Sequence, residues 1–305
     1  MDEPLSRYAR VGIIHFMLWP ETMGGDGPIV PTLERLVGDT DFDAIEVTRI
    51  ADAAARRTAR DLAATAGVTL AFGAQPILLG GQLDLNALDE AARAQAIDAV
   101  RDGIDQATEL GATGCAVLSG PDPGLAHRHQ ATDLLVDSLK WLCDYAAHKG
   151  DLPIVLETFD RKPFGKNCLI GPSTEAAEVA RRVREHFPSF GLLLDLSHLP
   201  LLDESPRDAI RAAGDALVHA HMGNCVMRDA SHPAYGDHHP RFGVPGGEND
   251  VLELAEYLRA LLDAGFLDKA RRPILSFEVK PLKGECVEAL IAGSKRTLHA
   301  AWDAV

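Results

Sequence analysis

Short apolar runs alternate with longer segments of helical periodicity along the whole 305-residue chain, with no Pro/Gly/Ser-rich linker between them. Strand-like runs fall at 11–16, 44–47, 69–73, 114–119, 153–158, 190–196, 217–222 and 273–279. Continuous apolar runs of this length suit parallel strands covered on both faces, and parallel strands need crossover helices between them. The intervening segments read as those helices. Segment 86–110 places Ile97, Val100, Ile104 and Ala107 on one stripe, with Gly111 as its stop. Segment 133–149 repeats Leu135, Leu139, Leu142 and Ala146 before Gly150. Ser205-Pro206 reads as an N-cap followed by proline at the first helical position, with Gly214 beyond the end. Segment 250–264 carries Val251, Leu254, Leu258, Leu261 and Leu262 before Gly265. This alternation predicts an α/β fold, a single-domain (β/α)8 TIM barrel over 1–305, in preference to an open doubly wound sheet.

A barrel gathers the C-terminal ends of its strands at one mouth, where catalytic groups belong. Four of the later runs close on a metal-ligating side chain: Glu157, Asp195, His221 and Glu278. A charge at the end of a buried strand is costly unless it is paired or bound to a metal. Strand alternation puts Val155 with Glu157, and Ser276 with Glu278, on the barrel interior, and turns Leu156 and Phe277 towards the helices. The oxygen-rich set with one imidazole suits one divalent ion, Mn²⁺ first, with Mg²⁺, Co²⁺ and Zn²⁺ compatible. Lys280 is the nearest ion-pair alternative for Glu278, and His219 faces the same way as His221. Around the mouth, His15 and Trp19 follow the first strand, Gln75 the third, and His127 and His129 the fourth. Glu46, on the second strand, reads as a structural ion pair.

A net charge of −15 argues against nucleic acid as a partner, because binding phosphates requires Lys and Arg. The five cysteines lack CxxC spacing and read as reduced thiols, which points to a cytoplasmic protein. The start Met1-Asp2-Glu3-Pro4 does not read as a signal peptide, and no apolar run is long enough for a membrane span.

The series Glu157, Asp195-Leu196-Ser197-His198, His221 and Glu278 resembles the xylose-isomerase-like TIM-barrel superfamily, including ketose 3-epimerases, hydroxypyruvate isomerases and inosose dehydratases. The resemblance implies that Glu157, Asp195, His221 and Glu278 bind one divalent metal, that the two glutamates also move protons, and that His198 contacts substrate. Arg228 stands one residue further from His221 than the substrate-holding arginine of the ketose 3-epimerases does. Gly247-Glu248-Asn249-Asp250 is an imperfect copy of a turn those enzymes carry.

The long stretch 222–249 departs from the epimerase pattern. It contains Asn224 and the run His232-Pro233-Ala234-Tyr235-Gly236-Asp237-His238-His239-Pro240-Arg241-Phe242-Gly243. A loop of such length inside a compact fold is a functional feature, and its Pro, Gly and aromatic content predicts an ordered lid above the metal. Asn224, His239 and Arg228 join His15, Trp19 and Gln75 as candidate substrate contacts. The stretch is similar to that of the large subunits of bacterial C-glycoside-cleaving enzymes, which act on 3-oxo-glycosides with a small partner subunit.

The expected activity is proton abstraction beside a carbonyl of a sugar or keto-sugar, as an isomerase or epimerase. The alternatives are β-elimination from a 3-oxo-glycoside and dehydration of a keto-cyclitol. Either a homo-oligomer or a hetero-oligomer with a small subunit fits these readings. Repair enzymes of the endonuclease IV type share the barrel, but need a richer metal cluster and a basic surface.

Overall fold

A computed structural model describes residues 3–161 and 164–305. The strands are β1 (Arg10–Ile14), β2 (Ala44–Val47), β3 (Thr69–Gly73), β4 (Cys115–Leu118), β5 (Ile154–Glu157), β6 (Gly191–Asp195), β7 (Leu217–Gly223) and β8 (Ile274–Glu278). All neighbours are parallel, and β1 pairs with both β2 and β8, so the sheet closes in sequence order. The fold is a single-domain (β/α)8 barrel, as the alternation predicts.

The first strand differs most from expectation. It ends at Ile14, and the apolar residues that follow form a helical turn, His15–Leu18. Hydrophobicity is continuous across that junction, so periodicity alone gives no boundary. The helix expected from 86 is Glu90–Leu110, and it starts where the Asp89 side chain accepts from the Ala92 backbone N–H. The helix expected from 133 already begins at Arg128. Ser205 and Asp250 both cap as expected; Asp250 and Glu253 form a reciprocal capping box on Val251–Asp263.

Side-chain alternation sorts the barrel into an outer apolar shell and an inner column. Leu156, Leu192, Leu194 and Phe277 pack with Val179, Val183, Leu254 and Leu258 of the surrounding helices in the main core. Full burial of each such side chain stabilises by about 1.5–3 kcal/mol. Inside the barrel, Ala44, Ala71 and Ile274 form one small apolar group, and Ala116, Val155 and Leu193 another. Above these small side chains the column turns polar: Glu46, Glu157, Asp195, His219, His221 and Ser276 are all buried.

Residues 224–250, after β7, form no helix or strand. They are nevertheless ordered by specific contacts. Asn224 donates to the Arg241 carbonyl at 2.9 Å and accepts from the Asn249 backbone N–H at 2.8 Å, closing the loop at its base. Gly236 has φ +88°, and its Cα abuts the Phe164 carbonyl, where a Cβ would collide. Lys166 pairs with Asp237 across the same seam. The β5 and β7 loops therefore cover the mouth together.

Candidate metal centre and active site

The four strand-end residues converge. Glu157, Asp195, His221 and Glu278 each offer a ligand atom, and these atoms all lie within 4.8 Å of one another. Register explains the meeting: Asp195 pairs with His221 across β6 and β7, and Gly223 with Glu278 across β7 and β8. Gly223 is tightly enclosed, since a Cβ there would sit 3.0 Å from Asp195 Oδ1 and 3.1 Å from the Glu278 carbonyl.

Neighbouring groups hold the donors in place. Gln75 donates through Nε2 to Glu157 Oε2 at 2.7 Å, while buried Glu157 Oε1 has no hydrogen-bond partner among the described residues. His221 Nδ1 faces Glu278 Oε2 at 2.8 Å and Glu157 Oε1 at 3.6 Å. Its Nε2 lies 3.1 Å from Glu46 Oε1, which also takes His219 Nε2 at 2.8 Å. The Ser197 backbone N–H donates to Asp195 Oδ1 at 2.9 Å, and the Ser197 hydroxyl to Oδ2. An orphaned carboxylate oxygen amid three further oxygen or imidazole donors is the environment a hard or borderline divalent cation fits.

The donor set is richer than the four residues anticipated. Glu46, His219 and His221 make one overlapping group, and Asp195, His198 and His239 another. Asp237 binds the second group together: its Oδ1 lies 2.7 Å from His239 Nε2 and 3.2 Å from His198 Nε2.

Electrostatics separate the two glutamates. Burial raises the Glu157 pKa, opposed by the nearby His221 imidazole and aided by the Glu278 charge. Burial acts the same way on Glu278, but His239 and His221 outweigh it and hold that carboxyl below its usual range. Burial disfavours the His221 cation, yet Glu46, Glu157 and Glu278 together keep its pKa well above normal. At His198 burial is likewise outweighed, chiefly by Asp237 and Asp195, and the pKa stands at about 10.

The cavity over this centre has a volume of about 410 Å³. Glu46, Gln75, Glu157, Lys166, His221, Asp237, His238, His239, Glu278 and Lys280 line its polar side, and Ile14, Phe16, Met17, Met23, Pro76, Leu79 and Phe159 its apolar side. A larger cavity of about 880 Å³ opens at the opposite end of the barrel. Three of its cations are engaged, Arg272 on Asp43, Lys295 on Asp41 and Lys269 on Glu3, and it holds no comparable cluster of acids and imidazoles among the described residues.

Several expected substrate contacts lie elsewhere. Arg228 is 83% exposed and pairs with Glu248, outside the cavity lining. His15 is turned into the fold, 2.7 Å from the Thr32 hydroxyl, and packs on Trp19. Neither residue lines the cavity, because the chain coils into a helical turn right after β1. Asn224 is used up in closing the β7 loop. His198 has both ring nitrogens engaged, Nδ1 on the Thr158 carbonyl and Nε2 on Asp237, and is absent from the lining. His127 and His129 are exposed on the fourth loop and helix. Lys280 makes no ion pair with Glu278; it lines the cavity, and its backbone N–H donates to His239 at 2.7 Å. Gln75 and His239 do line the cavity. No sequence signal singles out Asp237 or Lys166 as site residues, whereas Glu46, expected as a structural ion pair, does pair with His219 and His221 and also lines the cavity. Its available signal was an acid inside an apolar run, Ala44-Ile45-Glu46-Val47.

Fold and site together define a parallel (β/α)8 barrel with a histidine–carboxylate centre at its C-terminal mouth. The chain belongs to the xylose isomerase-like TIM barrel family, whose model matches residues 35–290. No curated protein matches it in sequence. Among solved structures it is similar to L-ribulose 3-epimerase, with a TM-score of 0.73 and 18% identity over 97% of this chain and 96% of that one. It is also similar to D-psicose 3-epimerase from Clostridium cellulolyticum H10, solved with D-tagatose (TM-score 0.67, 18% identity, 96% and 97% covered). A third is 3-keto-D-glucoside 4-epimerase from E. coli (TM-score 0.65, 14% identity, 97% and 99% covered). At these identities the likeness is one of fold.

Proposed function

We propose that the protein is a divalent-metal-dependent enzyme that removes a proton from the carbon beside a carbonyl of a sugar or keto-sugar, as an isomerase or epimerase does. The observation that carries this reading is the pair Glu157 and Glu278, two carboxylates facing one cavity, one of them with a buried oxygen that no protein donor satisfies. Glu157, Asp195, His221 and Glu278 would hold the ion, Mn²⁺ first, and their donor chemistry fits it. When bound, the ion supplies Lewis acidity towards a carbonyl and its neighbouring hydroxyl, acidifying the carbon-bound proton between them.

The residues of the chain do the rest. Gln75 anchors one Glu157 oxygen and so orients the carboxylate towards the cavity, where Glu157 is the first proton carrier. Glu278 is the second proton carrier. Return to the opposite face of the same carbon epimerises it; return to the adjacent carbon interconverts aldose and ketose. His239 and Asp237 wall the cavity beside Glu278. The sugars named for the similar structures, D-tagatose and a 3-keto-D-glucoside among them, accord with a sugar ligand.

A second reading is favoured by the apolar side of the cavity. Phe16, Met17, Met23, Pro76 and Leu79 would face little of a free sugar, but would cover an apolar substituent on one. That supports elimination from a 3-oxo-glycoside, with the protein as the large subunit beside a small partner. Keto-cyclitol dehydration shares the same first step.

Plasma spectrometry is expected to find about one divalent ion per chain, lost in Asp195→Ala. Glu157→Gln and Glu278→Gln should each abolish turnover; wild-type rates in both would overturn the two-glutamate mechanism. Solvent deuterium entering simple ketoses without a partner supports the epimerase. Cleavage of a 3-oxo-glycoside only in the presence of a small protein encoded next door supports the lyase.

A further inference from the structure

We infer that Glu46 is a positioning residue, which accepts the Nε2 protons of His219 and His221 and so commits His221 to bind its cation through Nδ1. The inference rests on the metal reading above and adds a residue and a ligating atom to it.

The geometry is specific. Glu46, on β2, is 2% exposed and reaches His219 and His221 on β7, which is not a neighbouring strand. A single oxygen, Oε1, lies 2.8 Å from His219 Nε2 and 3.1 Å from His221 Nε2. The two rings stand at 90° with centroids 5.0 Å apart, so both nitrogens converge on that oxygen from different directions. An ionised carboxylate only accepts hydrogen bonds, so each facing nitrogen must carry a hydrogen. An imidazole nitrogen that carries a hydrogen has no lone pair for a cation. His221 is left with Nδ1, which is the nitrogen directed at Glu278 and Glu157.

Glu46 thereby fixes three things in His221: its tautomer, its ring orientation and its basicity. Such support for a metal-bound histidine typically changes affinity by about 10–100-fold. His219 has its own part, because its N–H pins the Glu46 carboxylate from the barrel floor. A rival arrangement is a separate ion among Glu46, His219 and His221, whose ligand atoms also lie within 4.8 Å of one another.

The test measures Mn²⁺ affinity by competition with a fluorescent chelator in wild type and Glu46→Gln, with the melting temperature of each metal-free protein alongside. Glu46→Gln keeps the shape but takes a charged partner from buried His221, so it should lower the metal-free melting temperature and also weaken Mn²⁺ binding by about 10–100-fold. A role in folding alone would lower the melting temperature and leave the affinity unchanged. In parallel, wild-type protein carrying ¹⁵N-labelled histidine and loaded with diamagnetic Zn²⁺ should show a hydrogen on His221 Nε2 and none on Nδ1. This second measurement decides the question even if Glu46→Gln fails to fold. Unchanged affinity in a folded Glu46→Gln, a hydrogen on Nδ1, or a second ion lost with Glu46 would each overturn the inference. Wild-type protein that binds no cation would overturn the metal reading itself.

Discussion

At the scale of single residues, burial without charge and burial with charge have opposite consequences in this protein. His15 has no acidic partner, and burial lowers its pKa from 6.5 to about 4. The Thr32 hydroxyl donates to the Pro28 carbonyl at 2.6 Å, so its oxygen accepts from His15 Nε2–H and the ring sits neutral. The unfolded chain therefore binds a proton at this site between pH 6.5 and 4 that the folded chain does not. The stability this residue contributes is full above pH 6.5 and falls away as pH drops towards 4, by about 3 kcal/mol in all. Urea denaturation across that window should show a correspondingly smaller loss in His15→Gln; identical pH profiles would exclude this source. The metal-ligating candidates were the residues most open to sequence reasoning. Glu157, Asp195 and Glu278 each close a run of apolar residues, a position that is costly without compensation. His15, Trp19, Arg228, Asn224 and His198 were harder to place, since proximity to a strand end does not say which way a loop side chain turns.

At the scale of elements, the decisive pieces are the loops after β5 and β7. Among the described residues neither carries a helix or strand, and the groups that hold them together include Lys166 against Asp237, Asp237 against His198 and His239, and Gly236 against the Phe164 carbonyl. His239, His198 and Lys166 hold Asp237 well below the usual carboxylate range against the effect of its burial. Removing a partner from a buried ion pair costs about 3–5 kcal/mol, because the remaining charge is stranded. Lys166→Met should therefore loosen the lid before it affects the barrel. Amide exchange over 224–250 is expected to quicken by at least about tenfold, with the strands unchanged. Equal acceleration in lid and strands would show that the pair supports the whole fold instead. The strands themselves were legible because each is a short apolar run between polar segments. The limits of β2 and β3 agree with the expected 44–47 and 69–73. β1 was overextended because its apolar character continues into a helical turn.

At the scale of the whole molecule, the acids that bear on function meet at one place, where Glu46, Glu157, Asp195, Asp237 and Glu278 surround four buried histidines, His198, His219, His221 and His239. Burial and the Glu278 charge raise the Glu157 pKa, a standing cost to the metal-free fold that a bound cation would relieve. A ligand that binds only the folded state stabilises it by about 2.7 kcal/mol at a hundred times its dissociation constant. For a chain of this size that corresponds to roughly a 5 °C rise in melting temperature. Calorimetry with Mn²⁺ and then with a chelator should show the rise and its reversal; no shift at saturating metal would argue against a preformed site. Among the described residues, no helix is long and apolar enough to cross a membrane.

The sequence by itself determined the eight-fold alternation, the barrel that follows from it, and the strands whose ends meet at the mouth. Those properties are local: side-chain period, run length and capping residues are all written in consecutive positions. Tertiary structure alone decided that Glu46 reaches across the barrel to two histidines, that Asp237 enters the site from a distant loop, and that His15 and Trp19 leave it. These outcomes depend on barrel closure and on loop paths, which bring together residues as distant in sequence as Glu46 and His219 and which no local pattern encodes.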